Sequence, residues 1–470
     1  MKKTRAITVF LIFILAFSIA FAAQTIIEAE GYSVMGDGPE ESPAVAKERA
    51  RQSARRAAAE KAGVYIEAFS KSQNGVLTKD EVKTFSSTVL EVKSDEVTSE
   101  TIAGIAVKYT CKLVAVVDTA EVEAQMNKDR EKIEDAVLTN KDQEIYQEQN
   151  DKEFEELKER YKTADDAEKV QINEEIKRNE EKFTASRLQE KAASLYAKNE
   201  VKEAEETYKQ AIETDDKYAA PWSGLGQIAK DRGDMDKAIE YFENAISRYS
   251  EFAVSWNGLA YANNYKGNYE EAIKYCKKAI ELEEKYAAPW NNLGYAYDAL
   301  KDYAKALECY QKAAELDPKD PAPWGNMGST YDAMGDYEKA AECSKKALEI
   351  KENYSKAWNN LGYAYNHQKN YDEAAKCFQK AIDIDKNYAE PYNGLGAACN
   401  GKGKYYKALD SLKKAIKLNP NYADAYNNMG YAYSGLEQFE RALSAYKKAV
   451  ELEPNNEIYK KNLETAKGRM

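Results

Sequence analysis

Between Pro289 and Ala322 the apolar positions fall at helical spacing in two successive runs, and the whole pattern returns from Pro323 and again from Ala357. It continues at Pro391 and Ala425 and runs back to Ser255 and Pro221. A fixed period of about 34 residues predicts a stack of helix pairs rather than one closed globule. An aromatic opens the first helix of each pair: Trp222, Trp256, Trp290, Trp324, Trp358, Tyr392 and Tyr426. Leu or Met follows three residues on, from Leu225 to Met429, which keeps one apolar stripe facing inward. The next residue is Gly, or Ala260 in one repeat, so a neighbouring helix can come close. In the second helix an Ala recurs from Ala238 to Ala442, with another seven residues later from Ala245 to Ala449, marking a tight contact face. Pro318, Pro420 and Pro454 end second helices, because proline disfavours helical geometry in the residue before it.

The columns Trp–Leu–Gly–Tyr–Ala–Phe/Tyr–Ala–Pro resemble the tetratricopeptide repeat. The resemblance covers residues 185–456 as eight copies and implies a mainly α fold, an α-solenoid of helix-turn-helix units. The first copy is the least regular: Leu188, Ala192, Leu195, Ala204, Tyr208 and Ala211 fit, while Lys191 stands where Leu is usual. Residues 457–470 read as one closing helix with Leu463 and Ala466 inward.

Ahead of the array, residues 24–123 predict a small α+β domain of order β-α-α-β-β. Thr25–Met35 alternates as a strand, Gly36-Asp37-Gly38-Pro39 is turn chemistry, and Pro43–Ser70 is an Ala-rich helix. Thr78 with Glu81 forms a capping box for a helix towards Leu90. Strands are expected at Glu96–Ala103 and Ile105–Asp118. Glu30-Gly31, the run Ala46–Gly63 and the strand Val114–Val117 resemble the N-terminal domain of flagellar assembly protein T and related small envelope lipoproteins, which implies an envelope-associated assembly module. Residues 124–184 turn to Glu, Lys, Gln, Asp and Asn with an apolar edge of Ile133, Phe154, Leu157, Ile172 and Ile176. They read as a charged helical spacer with breaks near Asn140 and Thr163–Asp166, or as a coiled coil that would make a homodimer.

Residues 1–23 have the three parts of a secretory signal: Lys2, Lys3 and Arg5, the apolar run Ala6–Ile19, and Ala20-Phe21-Ala22. That run is short for a membrane anchor, and no transmembrane span is expected after its removal. Export places the protein in the periplasm, the cell envelope or the medium of a bacterium. The formal net charge is −12, and loss of three basic residues with the signal takes it further negative, against nucleic-acid binding. Six cysteines in an exported chain would ordinarily suggest disulfides. Cys309, Cys343 and Cys377 share one column of stacked helices, about 10 Å apart and too far to bridge, so small buried thiols are expected instead.

No catalytic constellation is present, and neither metal nor cofactor is expected: His367 is the sole histidine, and there is no phosphate loop. The informative columns lie just after the opening aromatic. They carry Asn257, Asn291, Asn292, Asn326, Asn359, Asn360, Asn393, Asn427 and Asn428, with Tyr295, Tyr363 and Tyr431 one turn on. In the tetratricopeptide family this side of the first helix lines a concave groove. Asparagine both donates and accepts, so such a ladder could grip the backbone of an extended peptide or protein partner, as in the similar ladder of O-linked N-acetylglucosamine transferase. The same residues also serve as ordinary repeat consensus. A basic clamp for acidic peptide termini is missing, since Asn264, Asp298, Asp332 and Asn366 occupy its columns. The expectation is a non-enzymatic exported scaffold or adaptor for envelope assembly. A holdase for extended exported chains and a regulatory subunit of an envelope enzyme remain open.

Overall fold

The computed structural model describes residues 24–35, 43–72, 77–102, 106–126 and 130–469. The expected signal at 1–23 and the turn at Gly36–Pro39 lie outside them. Three strands come first with the helices between and after them: β1 Thr25–Met35, α1 Pro43–Ser72, α2 Lys79–Val89, β2 Leu90–Ile102, β3 Ala106–Val117 and α3 Thr119–Met126. Two long helices follow, α4 Arg130–Thr163 and α5 Asp166–Ala197, then α6 Val201–Thr214. The remaining repeats are α7 Ala219–Asp231 with α8 Met235–Arg248, α9 Ala253–Lys266 with α10 Tyr269–Leu282, α11 Ala287–Ala299 with α12 Tyr303–Leu316, and α13 Ala322–Met334 with α14 Tyr337–Ile350. They continue as α15 Ser355–His367 with α16 Tyr371–Ile384, α17 Ala389–Gly401 with α18 Tyr405–Leu418, and α19 Ala423–Gly435 with α20 Phe439–Leu452. Helix α21, Glu457–Lys467, closes the array. The chain divides into two compact units, residues 1–267 with 278–284, and residues 268–277 with 285–470.

In the first unit the sheet order is β1-β3-β2, antiparallel throughout. Inward residues of β1 and β3, among them Ile27, Ala29, Cys111, Leu113 and Ala115, meet a line of alanines on α1: Ala46, Ala50, Ala54, Ala58 and Ala62. The alanines let the helix come very close. A Cβ on Gly31 would stand 2.0 Å from the backbone nitrogen of Ala54, so only glycine fits where helix and strand cross. The capping box forms as expected, with Thr78 and Glu81 exchanging bonds of 3.2 and 2.7 Å. Strand β2 starts at Leu90, six residues before the position expected from alternation. A bulge between Val92 and Ser94 shifts the pleat by one, so Leu90, Val92 and Val97 all turn towards the core although their spacing is not strictly even.

The charged stretch folds back on itself. Helices α4 and α5 pack as a hairpin on Phe154, Leu157, Ile172 and Ile176, the apolar edge that a coiled coil would have used. The break at Thr163–Asp166 is present: Asp165 caps α5 and Glu168 completes a capping box. The break expected at Asn140 is absent. An asparagine inside a helix costs only about 0.7 kcal/mol against alanine, and Leu138 and Gln143 on either side are held by packing and burial. Helix α5 also runs unbroken through residue 185, so spacer and first repeat share one helix.

Within the repeats the columns have the roles their chemistry suggests. The alanines from Ala238 to Ala442 and from Ala245 to Ala449 are buried. The indole nitrogens of Trp256 and Trp358 each donate to a carbonyl six residues back, at 2.8 Å, fastening the helix to the loop that feeds it. Second helices end in extended backbone at Asp317 and Asn419 ahead of prolines, and equally at Asp215, Lys351 and Asp385, where no proline follows. Proline reinforces this break without being needed for it.

Candidate functional site

The asparagine columns hold the repeats to one another. In the second unit Asn326 donates to Asn291 at 2.9 Å, Asn428 to Asn393 at 2.9 Å, and Asn462 of α21 to Asn427 at 2.8 Å. Asn360 donates to the carbonyl of Gly325 at 3.0 Å, the backbone replacing the side chain that this repeat lacks. Each rung runs from one first helix to the preceding one. The rung from position 394 to Asn359 is missing because residue 394 is glycine, and the Asn359 side-chain oxygen is buried without a donor. As Phe378 is placed, a Cβ at position 394 would lie 2.3 Å from its ring. Where the corresponding second-helix residue is Ser344, Asn360 fits.

These bonds and the burial sort the twelve expected groove residues. Asn257, Asn292, Asn359 and Asn393 are buried, while Asn291, Asn326, Asn360, Asn427, Asn428 and Tyr363 are half-buried. Tyr363 also accepts from Asn393 at 3.3 Å. Only Tyr295, 47% exposed, and Tyr431, 53% exposed, stand well into solvent.

In the first unit the same side of the first helices is covered by α4. Gln227, in the column of Tyr295 and Tyr431, donates to Asp135 at 2.8 Å. One turn on, Lys230 is 8% exposed and lies 3.1 Å from Glu131 and 3.9 Å from Asp135. Burial opposes its charge, and the carboxylates of Glu131 and Asp135 outweigh that and raise its pKa. Lys132 pairs with Asp231 at 2.6 Å. Farther along α4, Tyr146 stacks on Tyr218 with centroids 4.0 Å apart and donates to Asp215 at 2.6 Å. The other flank of α4 holds the α+β domain: Ile133 enters that core, Arg130 pairs with Glu81 at 2.6 Å, and Arg49 reaches Asp151 at 2.8 Å. Nothing in the local pattern of residues 130–146 marks this docking; its partners lie about a hundred residues away, in a column that sequence reading assigned to an outside ligand.

The tetratricopeptide repeat family matches residues 190–251, 253–286, 287–320, 309–342, 355–388 and 423–456, and the TPR repeat family matches 398–436. Together the segments span just over half of the chain. This is a tetratricopeptide-repeat protein. No curated protein matches the chain. Among solved structures, the Cut9–Hcn1 hetero-tetramer of the APC/C is similar at 18% identity over 73% of this chain and 76% of that one, with a TM-score of 0.50. A tetratricopeptide repeat protein from Parabacteroides merdae is similar at 21% identity over 53% of this chain and 98% of its own, with a TM-score of 0.43. YrrB, described as a TPR protein with an unusual peptide-binding site, shares 25% identity over 40% of this chain and 96% of its own, with a TM-score of 0.31. These likenesses speak to the fold. Tetratricopeptide repeats are protein-interaction scaffolds, and no enzyme family matches.

In the second unit the array leaves its first-helix side to solvent and polar groups. One turn beyond Tyr295 lies Asp298, which accepts from Thr330 at 2.8 Å, and the next repeat places Asp332 in the same column. Burial raises the pKa of both carboxyls; Thr330 offsets the first and His367 the second. His367 lies 3.8 Å from Asp332 and stacks on Tyr337 at 4.5 Å. One oxygen of Asp332 and the side-chain oxygen of Asn366 are buried without a donor. Sequence reading used this column only to dismiss a basic clamp, and so passed over the acceptors that it supplies.

The six cysteines are free thiols, five of them buried. Burial pushes Cys309, Cys343 and Cys377 up to about 11, which keeps them protonated and slow to oxidise at neutral pH. Among the described residues no cluster of His, Cys, Asp and Glu could hold a metal, and no helix is long and apolar enough to cross a membrane.

Proposed function

We propose that this protein is an exported scaffold that holds a protein partner of the cell envelope on the first-helix side of its second unit. The observation that carries the binding reading is the exposure of Tyr295 and Tyr431 in one first-helix column, with the half-buried carboxyls of Asp298 and Asp332 in the column one turn on. Tyrosines give amphipathic contact area with little entropy to lose, and half-buried carboxyls favour a partner that brings N–H groups. The asparagines contribute by fixing the spacing of the repeats, so the grip belongs to the tyrosines and aspartates. Export and the envelope setting rest on Lys2, Lys3, Arg5, the apolar run and Ala20-Phe21-Ala22, and on the resemblance of residues 24–123 to the flagellar assembly protein T domain.

The test is affinity capture from an envelope extract with the full mature chain, beside a variant carrying Tyr295→Ala and Tyr431→Ala. Both tyrosines are exposed, so the variant keeps its fold, which circular dichroism checks. A short list of proteins lost in the variant, with the bait itself found in the envelope fraction, is the expected result. Equal recovery by both baits would refute the binding face, and a cytoplasmic bait with Met1 intact would refute export.

A further inference from the structure

The leading repeats show what this array does with a helix, because α4 lies on them. Column by column, Gln227 bonds Asp135, and Lys230 sits between Glu131 and Asp135. Glu131 and Asp135 are one turn apart on α4, so the first-helix side here reads an i, i+4 pair of carboxylates with a buried cation. Two repeats further along the sequence the column of Gln227 holds Tyr295, and the column of Lys230 holds Asp298 and then Asp332. The scaffold is the same and the sign of the charge is reversed.

We infer that the first-helix side of the second unit docks a helical segment of a partner protein that carries basic side chains on one face, aimed at Asp298 and Asp332. Three features agree on this chemistry. The two carboxyls are held where burial penalises their charge, a cost that an arriving Lys or Arg removes. Asp298 accepts from the neutral hydroxyl of Thr330 at 2.8 Å and Asp332 lies 3.8 Å from His367, so among the described residues neither carboxyl holds a Lys or Arg, and ammonium and guanidinium groups are donors only. Tyr295 stands one turn from Asp298 with 47% of its surface open, ready to take the stem or the cationic face of such a side chain. The first unit already shows that pairing: the Lys230 ammonium lies 5.0 Å from the centre of the Tyr261 ring. The reversal also sorts ligands. An acid-edged helix such as α4 meets Lys230 in the first unit and would meet like charge at Asp298 and Asp332, so the two ligand classes are kept apart.

This inference rests on the binding face proposed above and is tested separately from it. Two fluorescent peptides are titrated against the full chain by anisotropy. One has the sequence of residues 130–150, and the other differs by Glu131→Lys and Asp135→Lys. The charge-reversed peptide is expected to bind at least about tenfold more tightly. That preference should vanish in a protein carrying Asp298→Asn with Asp332→Asn, and should weaken as salt rises. Equal binding of the two peptides, binding of neither, or a preference that survives the aspartate changes would overturn the inference. A captured partner lost with the Tyr295 and Tyr431 changes but indifferent to the Asp298 and Asp332 changes would leave the binding face standing and sink the basic helix alone.

Discussion

Residue by residue, the clearest exchange of volume is at Phe378 and Gly394; it is local, since Asn326 stands opposite Tyr310 in the same two columns and still makes its rung. Phe378 fills the space that would otherwise admit a side chain at position 394, so Gly394 gives up the rung to Asn359; Ser344 leaves room, and Asn360 makes its bond. Phe242 opposite Gly258 repeats the first arrangement. The exchange predicts a non-additive pair. Gly394→Asn alone overpacks against Phe378 and should cost about 1–3 kcal/mol. In a Phe378→Ser background the same change should be neutral or stabilising, since it fits and supplies Asn359 with a donor. Urea denaturation of the four proteins of the cycle should give a coupling above about 1 kcal/mol, whereas additive costs would show the columns to be independent. The period, the alanines and the tyrosines were legible in sequence because each lies in a single column. The rungs were not, because a hydrogen bond between residues 35 apart looks, in sequence, the same as two asparagines waiting for a ligand.

At the level of elements, α4 is the piece that local pattern misreads. Its composition is that of a solvated spacer, yet Asp135, Gln143, Gln147 and Asn150 are all buried, each within a tertiary contact rather than along an apolar stripe. Asp142 is the most strained of its charges. Burial pushes its carboxyl up to about 7, against the pull of Lys141 and with Glu283 and Glu251 adding to the rise. The hydroxyl of Tyr249 feels the same charge. A carboxyl whose folded pKa is raised favours the folded state fully below its unfolded value near 4, and that contribution is lost as pH rises through 7. Asp142→Asn should therefore leave stability unchanged at pH 4 relative to wild type. It should add roughly 2 kcal/mol at pH 8, a figure discounted because the carboxyl is only partly buried. Thermal melts across that range read the difference directly. A gap that stays constant with pH would mean that Asp142 is ionised in the folded protein throughout.

Across the whole molecule, one repeated surface is used in two ways. In the first unit the first-helix side is closed by the chain's own α4, which also carries the α+β domain on its far flank. In the second unit the equivalent columns carry exposed tyrosines and half-buried aspartates. The fold class, the eight repeats and the β-α-α-β-β order could all be read from periodicity and alternation. That the leading columns are already filled could not, because docking depends on which of many similar charged helices meets which column. Hydroxyl-radical footprinting of the tyrosines in the full chain, alone and with a captured partner, tests this division most directly. The account predicts that Tyr295 and Tyr431 are oxidised readily in the free protein while Tyr146 and Tyr218 are protected, and that the partner shields Tyr295 and Tyr431 without changing the other two. Strong oxidation of Tyr146 and Tyr218 in the free protein, or a partner that shields them and leaves Tyr295 and Tyr431 open, would contradict it.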